Sequence, residues 1–216
     1  RGLVGSEMCI RDRPMIQSAS HLASLIGSRI CHDLISPIGA IHNGLELISL
    51  SGPVQHEAEI SLITQSCQNA ASRIKFFRVA FGVSGTDRQL STDTLLDILL
   101  PLINGPRQNL HWKIHRSLTR REAQALFLAI LCIETALPLG GEISVTESGP
   151  RLSVEGYSTE IIVDAANWDP LTNMSHKHAS LPEHVQFLFL PSIVHGIGRE
   201  LNVCVQTSLI RINLSA

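Results

Sequence analysis

The sequence predicts an α+β fold in two parts: a long antiparallel helical hairpin that forms a four-helix bundle dimer, followed by an α/β sandwich. Three observations predict it. Apolar residues recur with a helical period as far as residue 81, the turn-forming cluster Ser51-Gly52-Pro53 splits that stretch in two, and beyond residue 91 short branched-residue runs alternate with apolar helices.

Each element follows in order. Residues 1–14 show neither an amphipathic period nor an apolar run closed by small residues, so they read as an extraneous or disordered segment, with Met15 a plausible start. From Ser18 to about Ser51, Ile30, Leu34, Ile38, Ile41, Leu45 and Ile48 step by four, four, three, four and three. That is the stripe of a helix of about nine turns. After the turn, Ile63, Cys67, Ala70, Ile74, Phe77 and Phe81 continue the period to Gly82, giving a second long helix and a hairpin domain over 15–83. A hairpin alone covers each apolar stripe only in part, and pairing two of them completes the burial, which predicts a homodimer. Residues 84–91 have the small, polar composition of a linker. The second domain, 92–216, reads as a helix over Thr92–Asn104, a strand over Asn109–His115 and an apolar helix over Arg120–Leu137. Strands over Glu142–Thr146, Arg151–Gly156 and Glu160–Asp164 follow, then a helix over Glu183–Glu200 and two closing strands.

Composition narrows the function. Of 216 residues, 44% are hydrophobic and 17% charged, which suits a packed protein and not a disordered one. Lys and Arg number 17 against 19 Asp and Glu, a net charge of -2, so no cationic field is available for nucleic acid. The longest apolar run, Ala125–Ile133, is about half the roughly 20 residues a membrane helix needs. Cys9, Cys31, Cys67, Cys132 and Cys204 are odd in number and form no CxxC pair, which fits reduced thiols in a cytoplasmic protein.

The segment Arg29-Ile-Cys-His32-Asp33-Leu-Ile-Ser36-Pro37 carries the chemistry. With Leu34 at the centre of the apolar stripe, His32 and Ser36 fall about 160° away, on the opposite side of the helix. Arg29, His32, Ser36, Gly39 and Asn43 step by three, four, three and four, forming one polar ridge. Pro37 and Gly39 within a helix cost about 3 and about 1 kcal/mol relative to Ala, which a plain solvent face does not call for. A neutral imidazole is a nucleophile toward phosphorus near neutral pH. Asp33 can orient the ring and take its proton, Ser36 can bond a phosphoryl oxygen or a water, and Arg29 supplies counter-charge. Elsewhere, Cys31 lies about 100° from His32 and cannot pair with it as thiol and base. His111 and His115 stand about 13 Å apart along a strand, too far to share a metal, and His176-Lys177-His178 has no third ligand nearby.

His32-Asp33-Leu34-Ile35-Ser36-Pro37 resembles the phosphoacceptor box of dimerising histidine kinase helices. The match is closer to alphaproteobacterial histidine phosphotransferases of the ChpT type, whose CHD-x-ISP pattern, GLxLx run and RVAFG segment are matched by Cys31–Pro37, Gly44–Leu47 and Arg78–Gly82. The resemblance implies a phosphorelay protein whose His32 takes a phosphoryl group from the receiver domain of a hybrid histidine kinase and passes it to response regulators of the cell cycle. It assigns His32, Asp33 and Ser36 to catalysis, with no cofactor of its own and Mg2+ supplied at the receiver, and the remaining ridge residues Arg29, Gly39 and Asn43 read as the partner-docking positions. It also implies that the second domain is a degenerate histidine kinase ATP-binding domain. The residues agree: the helix Ala125–Leu137 contains no Asn, Glu134 is at most a lone ligand, no Asp-x-Gly-x-Gly box is present, and His195-Gly-Ile-Gly198 is a weak glycine-lid signal. The competing readings are an ATP-dependent histidine kinase and a non-catalytic dimeric adaptor for response regulators.

Overall fold

The computed structural model describes residues 13–50, 56–83, 89–172 and 181–216, with side chains from residue 19 onward. Among them, six α-helices and seven strands follow the order α1 (Arg13–Leu50), α2 (Glu57–Ala80), β1 (Gln89–Leu90), α3 (Thr92–Ile103), β2 (Gln108–Trp112), β3 (Leu118–Thr119) and α4 (Arg120–Thr135). Then come β4 (Gly141–Ser148), β5 (Arg151–Tyr157), α5 (Ala165–Thr172), a 3-10 turn (Pro182–His184), α6 (Val185–Gly196), β6 (Glu200–Val205) and β7 (Leu209–Ser215). The turn Ser51–Pro53 and the His176–His178 cluster lie outside the described residues.

Helices α1 and α2 lie against each other as the hairpin. Their close approach depends on Gly44, where an added Cβ would stand 2.6 Å from the Ile63 side chain. Pro37, inside α1, is buried on the same seam. The base of α2 enters the core of the α/β part: Phe76, Phe77, Val79 and Ala80 are buried there, and Phe76 stacks on Phe127 of α4 at 5.0 Å. From α4, Arg120 donates to the carbonyls of Arg78 and Val79, and Gln124 Nε2 donates to the carbonyls of Ala80 at 3.0 Å and Gly82 at 3.3 Å. The last turn of a helix has no intrahelical partners for its carbonyls, so these side chains cap α2 from a distant element. Gly82 is required because a Cβ would sit 2.4 Å from the Arg78 carbonyl oxygen.

The sheet has the order β2-β4-β5-β7-β6, with β2 parallel to β4 and the other pairs antiparallel. Alternation along the strands sends Ile143, Val145, Leu152, Val154, Ile210, Ile212 and Leu214 to one buried face. Helix α4 crosses that face, with α2 and α6 packed on its other side, so every residue from Ala123 to Ile133 is buried. Its N-terminus is a capping box between Thr119 and Glu122. Burial works to raise the Glu122 pKa, but the Arg116 guanidinium and the Thr119 N–H outweigh it and hold the carboxyl at about 2. Arg199 adds a second ion pair at 3.2 Å, tying α4 to the turn that precedes β6.

Four expectations need correction. Arg13 and Pro14 belong to α1, although the sequence shows no period there. Residues 89–91, assigned to the linker, form β1 and the N-cap of α3, with Gln89 and Leu90 paired to Thr119 and Leu118. Glu160–Asp164 is not a strand: Ile162 N–H donates to the Ala136 carbonyl at 3.1 Å beyond the end of α4, and Asp164 accepts from Ala166 N–H to start α5. The helix expected to reach Glu200 stops at Gly196, because Gly198 turns the chain at φ +68 and Arg199 N–H returns to the Val194 carbonyl.

Gly156 of β5 faces Ile133, where a Cβ would meet Cγ2 at 2.5 Å, whereas nothing lies within 4 Å of a Cβ at Gly105. Gly156→Ala therefore destabilises the protein by about 1–3 kcal/mol through overpacking. Gly105→Ala stays within about 0.5 kcal/mol of wild type in urea unfolding.

Candidate functional site

The expected ridge lies on α1, and its residues separate into two groups. The His32 side chain is 75% exposed, and the Asp33 side chain beneath it is 11% exposed. Asp33 Oδ1 lies 3.1 Å from His32 Nδ1. A carboxylate can only accept, so Nδ1 carries the hydrogen and the ring's lone pair is left on Nε2. Ser36, one turn on, is exposed at the mouth of a groove formed by Pro37 and Ala40 of α1 and Gln65, Ser66, Asn69 and Arg73 of α2. Asn43 is exposed further along, and Gly39 is half-buried with nothing within 4 Å of a Cβ, so packing inside one copy does not require glycine there.

Arg29 departs from the ridge. Its side chain is 16% exposed and turns toward the α/β part, where Nε donates to Asp33 Oδ2 at 2.8 Å and Nη1 donates to the Glu183 carbonyl. Angle alone placed it beside His32. What pulls it aside is the contact of α1 with α6 and the 3-10 turn. Arg73, which the sequence did not single out, is a second cation at the same carboxylate. Its Nη1 is 3.8 Å from Asp33 Oδ2, and its Nε donates to Asn69 Oδ1 at 2.8 Å. Nothing in the sequence separates it from the neighbouring Ser72 and Lys75 of the same turn.

Behind Asp33 lies a cavity of about 300 Å3 between the hairpin, α3 and α4, with Arg29, Asp33, Arg73 and Glu134 on its walls among Phe76, Leu102 and Leu131. The Glu134 carboxyl is enclosed there, and burial raises its pKa to about 7 against the lowering pull of Arg29 and Arg73, with Asp33 adding to the rise. The sequence pointed to Glu134 as a lone metal ligand; in the fold two guanidinium groups and Asp33 are the charged groups around it. Among the described residues no cluster of three His, Cys, Asp or Glu is placed to hold a metal, and no helix is long and apolar enough to cross a membrane.

Residues 92–208 match the family model described as the histidine phosphotransferase C-terminal domain. The protein phosphotransferase ChpT of Brucella abortus (strain 2308) is 37% identical over 138 residues, which span 63% of this chain and 65% of that relative, just under two thirds of its length. The solved structure of a bacterial phosphotransferase superposes with a TM-score of 0.76 at 26% identity, covering 91% of this chain and 97% of that one.

Glu134 generates a pH-dependent stability. Its pKa in the fold lies above the ordinary 4.5, so the native state holds the proton more firmly, and stability falls as pH rises from about 4.5 to about 7. Glu134→Gln removes that loss. It unfolds at higher urea than wild type at pH 8, by about 1–3 kcal/mol, and shows no gain at pH 4.

Proposed function

The chain belongs to the histidine phosphotransferase family, and on that premise we propose that it relays a phosphoryl group between receiver-domain aspartates through a phosphohistidine at His32. The observation that carries the reading is the His32–Asp33 contact at 3.1 Å on an exposed helix face. In the forward step the lone pair of Nε2 attacks the phosphorus of a receiver acyl phosphate. The N–P bond forms, the P–O bond to the receiver breaks, and the aspartate leaves as carboxylate. The ring gains positive charge as this happens, and Asp33 at Nδ1 stabilises that charge and can take the proton. Ser36 donates to a phosphoryl oxygen. The second transfer is the reverse, onto another receiver, with Mg2+ brought by the receiver in both. The donor is the receiver of a hybrid kinase and the acceptors are response regulators. Asn43, Gly39 and the groove lined by Asn69 and Arg73 form the docking strip, and Arg29 contributes to it only through Asp33.

We also infer a homodimer, and heptad spacing supports it. Cys31, Ile38 and Leu45 on α1, and Ile60, Cys67 and Ile74 on α2, recur every seven residues on the side of the hairpin away from the Ser36 groove. Ile38 is 56%, Leu45 55%, Ile60 56% and Ile74 48% exposed in one copy, an apolar stripe that a second hairpin covers. The apolar stripe, which the sequence gives as only partly covered within one hairpin, divides here between an internal seam and an open face.

The reading without ATP-dependent kinase activity is supported by α6, whose Phe187, Leu190 and Val194 are buried in the core around α4, where Ala123–Ile133 are covered by the sheet, α2 and α6. We place the protein in the cytoplasm with its receivers.

Transfer from a phosphorylated receiver with magnesium, followed by radiolabel, tests the mechanism. His32→Ala takes up no label, Asp33→Asn slows transfer about 10²- to 10⁴-fold with receiver affinity little changed, and Ser36→Ala slows it a few-fold, near the worth of one neutral hydrogen bond of about 1 kcal/mol. Label acquired from ATP alone overturns the assignment in favour of a kinase. Ile74→Asp runs as a folded monomer by light scattering while wild type runs as a dimer, because a charge in the shared stripe must be desolvated on association. A dimeric Ile74→Asp variant refutes the interface.

A further inference from the structure

The charge cluster behind the phosphoacceptor has a member with no role in the transfer step as written. Glu134 comes from α4, across the cavity from the hairpin, and shares that cavity with Arg29, Asp33 and Arg73. Arg29 and Arg73 both lie against Asp33 Oδ2, at 2.8 Å and 3.8 Å, while Asp33 Oδ1 holds His32 Nδ1 at 3.1 Å. Two guanidinium groups thus contact Asp33 and act on Glu134 through their field across the cavity, while Asp33 also holds the histidine. No other titratable group lines the cavity among the described residues: α3 contributes Leu102 and Ile103, and α4 contributes Leu131 and Thr135 besides Glu134.

We propose that Glu134 is a positioning residue for phosphoryl transfer, drawing on Arg29 and Arg73 across the cavity so that Asp33 keeps enough negative charge to support His32. The inference rests on His32 being the phosphoacceptor. With Glu134 ionised, the four cavity groups sum to zero and the arginines divide their field between two carboxylates. Without that charge the cavity carries a net positive charge, both guanidinium groups act on Asp33 alone, and the imidazolium that develops during attack at Nε2 loses part of its support. Glu134 acts through the arginines and Asp33 and touches no reacting atom. Its ionised form also costs the fold stability, since burial raises its pKa to about 7. Removing the charge therefore strengthens the fold while weakening the transfer, a combination that a purely structural residue does not give.

The test compares wild type, Glu134→Gln and Glu134→Asp in full-length protein, with His32→Ala as the reference for the acceptor. At pH 8, Glu134→Gln transfers about three- to tenfold more slowly than wild type, and at pH 6, where wild-type Glu134 is itself protonated, the two rates converge. Glu134→Asp recovers most of the difference at pH 8. In unphosphorylated protein, histidine nitrogen NMR shows the His32 Nδ1 resonance of wild type responding to a second ionisation near pH 7, and Glu134→Gln lacks that step. Equal rates for wild type and Glu134→Gln at both pH values, or an unchanged Nδ1 titration, overturn the role of Glu134 alone. Label retained by His32→Ala overturns the phosphoacceptor reading on which it rests.

Discussion

The structure depends on how the last turn of α2 is finished. A helix that leaves a hairpin for another packed unit must satisfy its terminal carbonyls, and here they are met by Arg120 and Gln124 of α4 while Phe76, Phe77, Val79 and Ala80 enter the core. The hairpin is therefore anchored to the α/β part by both hydrogen bonds and apolar burial. That fixes the rotation of α2, which fixes α1 through Gly44 and Pro37, and so fixes where His32 faces. The RVAFG segment marks this joint: Val79 and Ala80 are buried, Phe81 lies 6.0 Å from Phe77 and 6.2 Å from Phe189, and Gly82 allows the chain to turn against Arg78.

A consequence of that anchoring is that the helix bearing His32 has three environments around its circumference. One side packs on α2, one bears the open heptad stripe, and one carries His32 above a polar layer connected to α4. An isolated hairpin offers only the first two. The α/β part contributes the third by enclosing the arginines and Glu134, so it takes part in the site through its packing and its charges.

Most of the helices were legible because their apolar period is local, and α3, α4, β4, β5, β6 and β7 were legible for the same reason. What the sequence could not supply was the identity of the partner surface. Ile161 and Val163 alternate toward the core as strand residues do, yet the intervening N–H of Ile162 bonds the Ala136 carbonyl, so the segment is a strap beyond α4 and not a strand. Arg29 has the angle of a ridge residue and is turned aside by the 3-10 turn, an element more than 150 positions away. The His32–Asp33 pair was legible because neighbours in sequence are neighbours on the helix. Arg73 and Glu134 were not, because only the tertiary fold brings them to Asp33.

The long-range cap on α2 also orders events during synthesis. Its donors lie 41 to 44 positions downstream of the carbonyls they serve, and the strand that closes the inner sheet, β7, ends at Ser215. A ribosome therefore exposes the two long amphipathic helices well before α4 exists to cap them or the sheet exists to shelter α4. During that interval the hairpin presents all of its apolar surface with its base unfinished, the stage at which a nascent chain is most exposed to misassociation. The helix that bears His32 is made early, and its orientation is settled late.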